Sequence, residues 1–251
     1  MTAPIKLVIS GCCGRMGSRI ASLAVQGKTF RLVGAVEAPG HERLGRPFMT
    51  GHHQSPVITD DAQGAFRDGE VVIEFTAPAV TVAHAKLSGA LRIPMVIGTT
   101  GLSDGELKRL RAASRRIPIV FSPNMSLGVN VLFELVRIAA QRLGQAYDIE
   151  VVEAHHRHKK DAPSGTAKRL AQVLADARRQ PVGAIPVHAV RAGDIIGDHT
   201  VILAGPSERL ELVHRAHSRD VFAQGALTAA RFVIGRKPGW YDMADVLEHG
   251  A

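Results

Sequence analysis

The sequence predicts an α/β protein of two domains: an N-terminal Rossmann-type doubly wound parallel sheet, then a C-terminal α+β domain with a mixed, largely antiparallel sheet. Three observations predict it. In the first half, short runs that are apolar at nearly every position alternate with longer helical patterns, as parallel strands covered on both faces require. A glycine-rich turn, "GCCGRMG" at 11–17, follows the first run and opens the first helix. Beyond residue 125 the runs take on the period-two alternation of strands with one buried face.

The elements follow in order. Residues 5–10, "IKLVIS", form a strand, 16–26 a helix and 30–37 a second strand. The stretch 38–56 is rich in Gly, Pro and His and is expected to be a long loop. Strands at 71–75, 94–97 and 118–122 are separated by a helix beginning at Pro78 and a polar helix over 103–115. An amphipathic helix over 129–143 then leads to a strand at 147–154 and a helix over 164–179. The runs "GAIPVHAVRAG", "HTVILAG" and "ERLELVHRAH" alternate as antiparallel strands do. A helix over 220–234 and a short one within 239–250 close the chain. The expected domains are 1–126, completed by 236–251, and 127–235.

Composition narrows the functional classes. With 251 residues, 45% of them hydrophobic and 22% charged, the chain can build its cores without disulfide staples. The two cysteines, Cys12 and Cys13, are adjacent, so there is no disulfide framework and a reducing cytosol is the expected setting. No signal peptide and no apolar run of membrane-spanning length is apparent, so a soluble, cytoplasmic protein is expected. The formal net charge is +8, but the basic residues are interleaved with acids outside one cluster, and aromatics make up only 4%. Scarce aromatics argue against base-stacking platforms; the basic balance is compatible with nucleic acid, an anionic surface or small acidic ligands, and a solvated basic surface accounts for most of it.

Gly11, Gly14 and Gly17 lie between a strand and a helix, and Glu37 ends the next strand twenty residues after Gly17. This is a dinucleotide fingerprint: glycines admit the pyrophosphate to the backbone, and the helix start supplies oriented N–H groups. A carboxylate at Glu37 accepts hydrogen bonds from an adenosine ribose and repels a 2′-phosphate, so NADH is the preferred cofactor. Arg43, in the following loop, keeps NADPH open as a second cofactor. Cys12 and Cys13 are read as packing and spacing residues without chemistry.

The stretch "EAHHRHKKDAPSGTAK", residues 153–168, concentrates His155, His156, Arg157, His158, Lys159 and Lys160 before a small-residue turn. A metal site is not expected, because neighbouring histidines on a strand point to opposite faces and no cysteine or carboxylate pair has ligand spacing nearby. Nucleic acid would call for a longer basic stripe or a reading module. A pocket for a small anion fits better. Ser164 is placed to cap a helix whose first amides, at Gly165 and Thr166, face a carboxylate or phosphate, and a lysine and a histidine beside it can neutralise charge and move a proton. The plainer alternative is a basic surface turn that caps a helix.

In this order, "GCCGRMG", "EFTAP", "GTTG", "SPNMSLGVN", "EAHHRHKKDAPSGTA" and "RAGDIIGDHT" resemble the dihydrodipicolinate (4-hydroxy-tetrahydrodipicolinate) reductase family over essentially the whole chain. The resemblance implies a dinucleotide loop at Gly11, Cys12, Cys13, Gly14, Arg15 and Met16, with Glu37 at the ribose. It implies that Gly98, Thr99 and Thr100 lie beside the nicotinamide and that Ser122, Pro123, Asn124 and Met125 also contact the cofactor. His155 corresponds to the catalytic histidine and Lys159 to the catalytic lysine. His156, Ser164, Gly165 and Thr166 correspond to substrate-binding residues, and the substrate is a cyclic dicarboxylate. Some members carry an arginine, associated with NADPH, where this chain has Ala38. The family also implies a homotetramer built through the second domain's sheet, and closure between the domains. Another Rossmann dehydrogenase of a small acidic substrate is the alternative, and a dinucleotide-sensing nucleic-acid binder a more distant one.

Overall fold

The computed structural model describes residues 3–49 and 55–249. Residues 50–54 of the expected long loop lie outside them, as do the outermost residues of the expected domain ranges. In chain order the elements are β1 (Ile5–Ser10), α1 (Arg15–Gln26), β2 (Phe30–Val36), β3 (Ile58–Thr59), α2 (Ala62–Arg67), β4 (Val71–Glu74), α3 (Pro78–Leu91), β5 (Met95–Ile97), α4 (Asp104–Ser114) and β6 (Pro118–Phe121). They continue with α5 (Leu127–Leu143), β7 (Asp148–His155), α6 (Gly165–Arg178), β8 (Val187–Arg191), β9 (Asp198–Ala204) and β10 (Arg209–Arg215). The last three are α7 (Asp220–Val233), β11 (Gly239–Tyr241) and α8 (Met243–His249).

Two compact units result: Met1–Ser126 with Phe222–Ala251, and Leu127–Val221. The first is a seven-stranded sheet in the order β11-β6-β5-β4-β1-β2-β3, with every pair parallel. Val8, Val72, Met95, Ile97 and Ile119 pack with Phe66 of α2, Ala85 of α3 and Leu110 of α4. Side chains of the other parity, Leu7, Ile9, Ile73, Val96 and Val120, are also fully buried. Both faces are therefore dry, and that is why these strands read as unbroken apolar runs rather than alternating ones. The chain runs from β1 to β2 on one side and places β4 on the other. The glycine turn after β1 thus sits at the point where strand order reverses, the usual ligand position in such sheets.

Three short elements are absent from the sequence reading. Strand β3 has two residues and α2 six, of which only Phe66 is buried, so neither is long enough for a period to register. Strand β11, "GWY", is a half-buried edge strand paired with β6. The return to the first unit comes earlier than 236. Helix α7 belongs there, and Gly225 packs so closely on Met125 that a Cβ would stand 1.7 Å from its carbonyl oxygen.

The second unit is a four-stranded sheet in the order β10-β9-β7-β8. Helices α5 and α6 cover one face, where Leu132, Val136, Leu170 and Leu174 pack on Ile149, Val151, Val201 and Leu203. Strand β9 is antiparallel to β7 and β10, but β8 runs parallel to β7, against the antiparallel expectation. The cause is connectivity: β7 reaches β8 through α6, and a helical crossover returns the chain in the same direction. On the other face Val190 and Val213 remain exposed.

Candidate active site

Two clusters of the expected site residues form, one in each unit. In the first, Gly11 turns the chain at φ +76°, and its N–H and that of Cys12 both donate to the Val36 carbonyl, at 2.9 and 3.1 Å. A Cβ on Gly17 would stand 2.2 Å from the Gly11 carbonyl oxygen, so α1 can begin this close to the strand only with glycine there. Gly14 is the N-cap of α1 and no side chain caps the first turn, leaving an amide end of the kind that binds phosphates. Arg15 is exposed at the first helical position and Met16 is half-buried behind it. Glu37 turns its carboxylate into this loop: Oε2 accepts from the Cys13 N–H at 2.8 Å and Oε1 from the Ala38 N–H at 2.9 Å. Arg43 donates to the Phe48 carbonyl at 3.0 Å, and its charge reaches both thiols.

Among the described residues, one group of potential metal ligands comes together: Cys12, Cys13 and Glu37, with ligand atoms within 4.8 Å of one another. Burial pushes both thiols up, so they stay protonated near neutrality, and both oxygens of Glu37 already accept backbone hydrogen bonds. The donor set suits a dinucleotide loop better than a cation.

The other expected cofactor segments lie at or after the carboxyl ends of β5 and β6. The Gly98 N–H donates to the Glu74 carbonyl at 3.0 Å, Thr99 is buried and Thr100 exposed. The Thr99 hydroxyl meets that of Thr81 at 2.7 Å and accepts from the Thr76 N–H at 3.3 Å. Ser122 donates to the Asn124 carbonyl at 2.7 Å, Asn124 Oδ1 accepts from the Ser126 N–H at 2.9 Å, Pro123 is exposed and the Met125 side chain is buried. Linked to Thr99 through Thr76 is an acidic residue to which the sequence alone assigns no role. Glu74 is fully buried, hydrogen-bonded by Thr76 and 2.8 Å from His84 Nδ1, which also lies 3.1 Å from Ser10.

In the second unit, the inward-facing positions of β7 run Ile149, Val151, Glu153, His155. The apolar series is thus continued by a carboxylate and an imidazole. Register places His199 of β9 opposite Glu153 and Arg191 of β8 opposite His155. Glu153 is 0% exposed and fully bonded. His155 Nδ1 lies 2.5 Å from Oε2, the Ser164 N–H donates to Oε1 at 3.0 Å, and Arg191 donates to both oxygens at 2.9 and 2.7 Å. Burial pushes this carboxyl up, but the hydrogen bonds from Arg191, His155 and Ser164 outweigh it and hold it below the usual range. Burial lowers the His155 pKa; Glu153 opposes it, but with the charges of Lys159 and Arg191 the net direction is down.

Ser164 caps α6, its hydroxyl accepting from the Ala167 N–H at 3.2 Å and lying 3.2 Å from His199 Nε2. His199 is 3% exposed, and burial, aided by the charge of His155, pushes its pKa to about 4. Gly165 is exposed and Thr166 half-buried at the start of α6. Lys159 pairs with Asp161 at 2.9 Å and holds that carboxyl below its usual range. His156 lies just past the end of β7, half-buried, its ring 6.3 Å from that of His158. His155, Ser164 and the start of α6 are therefore brought together, with Lys159 in the turn between. Glu153, Arg191 and His199 lie within the runs that carry the resemblance, but no role is assigned to them there. The signal that finds them is a polar residue at an inward parity position, in "IEVVEAH", "VHAVR" and "DHTVILA".

A cation turn beside a helix start, in a chain that also carries a dinucleotide loop, narrows the comparison with known proteins. The description "Dihydrodipicolinate reductase, N-terminus" matches residues 5–125, and "Dihydrodipicolinate reductase, C-terminus" matches residues 128–247. The chain belongs to the dihydrodipicolinate reductase family. It is 46% identical over 261 residues to the 4-hydroxy-tetrahydrodipicolinate reductase of Anaeromyxobacter sp. (strain Fw109-5), covering 97% of each chain. It is 43% identical over 263 residues to that of Syntrophus aciditrophicus (strain SB), covering 97% of this chain and 98% of the relative. Its fold is similar to that of the dipicolinate-bound dihydrodipicolinate reductase from Paenisporosarcina sp. TG-14, with a TM-score of 0.83 and 22% identity over 96% of this chain and 98% of that one. Membership brings a nicotinamide cofactor with it, and the uncapped start of α1, the Gly17 contact and the Glu37 carboxylate fit that group. No helix among the described residues is long and apolar enough to cross a membrane.

Proposed function

We propose that this chain reduces 4-hydroxy-tetrahydrodipicolinate to tetrahydrodipicolinate with NAD(P)H and loss of water, in the diaminopimelate route to lysine. Family membership supports the reaction. The observation that carries the residue roles is the His155–Glu153 pair beside the amide end of α6.

The dinucleotide is held by the first unit. The turn Gly11–Met16 takes the pyrophosphate at the start of α1, Glu37 accepts hydrogen bonds from the adenosine ribose, and Gly98, Thr99, Thr100 and Ser122 to Met125 flank the nicotinamide. When bound and reduced, the nicotinamide supplies the hydride that reaches C4 of the substrate ring. NADH is preferred because Glu37 repels a 2′-phosphate and Ala38 offers no charge to replace it. Arg43, already close to the loop, gives NADPH its partial access.

The substrate carries two carboxylates, and the second unit has matching groups. The Ser164 N–H and hydroxyl are engaged by Glu153, Ala167 and His199, so Ser164 acts by fixing where α6 begins. One carboxylate meets the next amides, at Gly165 and Thr166, where the partial positive charge of a 14-residue helix favours it. Lys159 exchanges Asp161 for the substrate and, with His156, balances the remaining charge. His155 and Lys159 move the protons as the 4-hydroxyl departs as water and the ring takes up hydride.

The protein acts in the cytoplasm as a homotetramer, with the exposed sheet face at Val190 and Val213 in the subunit contact. The test follows NADH absorbance with enzymatically generated substrate, then repeats it with NADPH. Oxidation that depends on this substrate, faster with NADH, is expected. A chain silent with it but active on another small acidic compound would refute the reading.

A further inference from the structure

Glu153 lies in the interior, yet it carries a charge and spends every contact on the site. Four donors converge on its two oxygens: His155 Nδ1, the Ser164 N–H and both terminal nitrogens of Arg191. A buried carboxylate is costly unless paired and hydrogen-bonded. If its task were only to neutralise Arg191, the fork would suffice. Its two other partners are instead the imidazole and the first residue of the α6 turn, which adjoin in space but lie nine positions apart in the sequence.

We propose that Glu153 is a positioning residue for the reaction: its carboxylate fixes the ring and the reacting nitrogen of His155 and, through the Ser164 N–H, registers that ring against the amide end of α6. The inference rests on the proposed roles of His155 and of residues 164–166. A carboxylate accepts only, so Nδ1 must carry a proton, and Nε2 becomes the nitrogen that exchanges protons with substrate. The site keeps room at that nitrogen: Gly197 is its neighbour, and a Cβ there would stand 3.0 Å from Nε2. His199 completes the frame. Its ring packs edge-on to His155 at 5.2 Å while its Nε2 meets the Ser164 hydroxyl, so both groups tied to Glu153 are also braced from β9.

Charge gives the proposal a signature that packing alone would not produce. The charged and titratable groups facing His155 are Glu153 on its own strand, Lys159 in the turn, Arg191 from β8 and His199 from β9. Glu153 favours the protonated ring and Arg191 opposes it. Removing either partner of one ion pair should therefore move the His155 titration in opposite directions.

The experiment uses the full-length protein and its Glu153→Gln and Arg191→Met variants. It reads kcat against pH, NADH affinity, affinity for pyridine-2,6-dicarboxylate, thermal unfolding, and the His155 imidazole resonances by NMR. For Glu153→Gln, kcat should fall roughly 100-fold with unchanged NADH affinity, and the His155 titration should move to lower pH. For Arg191→Met it should move to higher pH. Wild-type resonances should report Nδ1–H. Unmoved titrations, or shifts of the same sign in both variants, would leave Glu153 a structural ion pair and overturn the proposal. If Glu153→Gln does not fold, Arg191→Met decides alone, since an unchanged or lowered titration there is already the wrong sign. Failure of the proposed function would instead appear as wild-type protein that does not turn over substrate, whatever the imidazole signals do.

Discussion

The glycine turn of the first unit is shaped by its main chain, whereas the end of β7 in the second is shaped by inward-facing side chains. The turn at residues 11–17 owes its shape to missing atoms: the Gly17 contact with Gly11 and the uncapped start of α1. The second site owes its shape to atoms present in excess of what packing needs: Glu153, His155 and His199 occupy inward positions that elsewhere on β7 and β9 hold Ile, Val or Leu, and Arg191 joins them from β8. The two have opposite weaknesses. A backbone site is broken by adding a methyl group, and a side-chain site by removing a charge. The turn contains no histidine, so mild acid should affect the second site far more than the first.

The largest separation between the two should come from Lys159→Ala. Lys159 lies outside the first unit, so NADH affinity, measured by fluorescence titration, should be unchanged. Turnover should fall by about 10²- to 10⁴-fold, the range for a lost proton-transfer group. A variant that lost NADH binding but kept turnover at saturation would erase the division of labour.

Acid should separate them next. His199 has a folded pKa of about 4 against 6.5 for the ordinary side chain. Between these values the unfolded chain holds the proton and the folded chain does not, so stability falls as pH drops from 6.5 to about 4 and levels off below. At about 1.4 kcal/mol per pH unit, the loss attributable to His199 is about 3 kcal/mol. His155 and His214, both lowered by burial, add in the same direction. His199→Gln should flatten this part of the slope in denaturant titrations across the window. An equally steep slope in the variant would place the acid sensitivity elsewhere.

The same contrast explains what was legible in the sequence. The parallel sheet, the glycine turn and Glu37 stand out because their signals are local: an apolar run, three glycines and an acid at a strand end. The α6 cap at Ser164 is local too. The missing parts are those made by tertiary pairing. Strand β8 alternates like an antiparallel strand, but its direction is set by the α6 crossover and not by its own residues. Arg191 and His199 are 36 or more positions from His155 and meet it only through register. Glu74 ends β4 and Glu153 lies near the end of β7, where an acid by itself does not signal burial. Only the parity of β7, counted outward from Ile149 and Val151, marks Glu153 as inward-facing.

For the backbone site, Gly17→Ala is the corresponding test. The new methyl would stand 2.2 Å from the Gly11 carbonyl, so α1 or the turn must move. Overpacking of this kind costs about 1–3 kcal/mol, and if it falls on the bound geometry NADH affinity drops by about tenfold or more. Under the proposed function, pyridine-2,6-dicarboxylate binds through the second unit, so its affinity should be unaffected. An equal loss of both would mean that the substitution unfolds the protein generally.

The smallest effect applies the same added methyl to the side-chain site. In Gly197→Ala the Cβ would lie 3.0 Å from His155 Nε2 and 3.4 Å from its Cδ2. An unrestrained imidazole would swing a few tenths of an ångström and accept this. Here Glu153 holds Nδ1 and His199 packs on the ring edge, so relief must come from the loop at 192–197 or from a weaker Nδ1 contact. Either route leaves Nε2 partly shielded and costs turnover about three- to tenfold, well short of losing a proton-transfer group. In Glu153→Gln protein, whose ring is released, the added cost of Gly197→Ala should shrink, and a double-mutant cycle measures by how much. Full additivity would show that Glu153 does not restrain the ring.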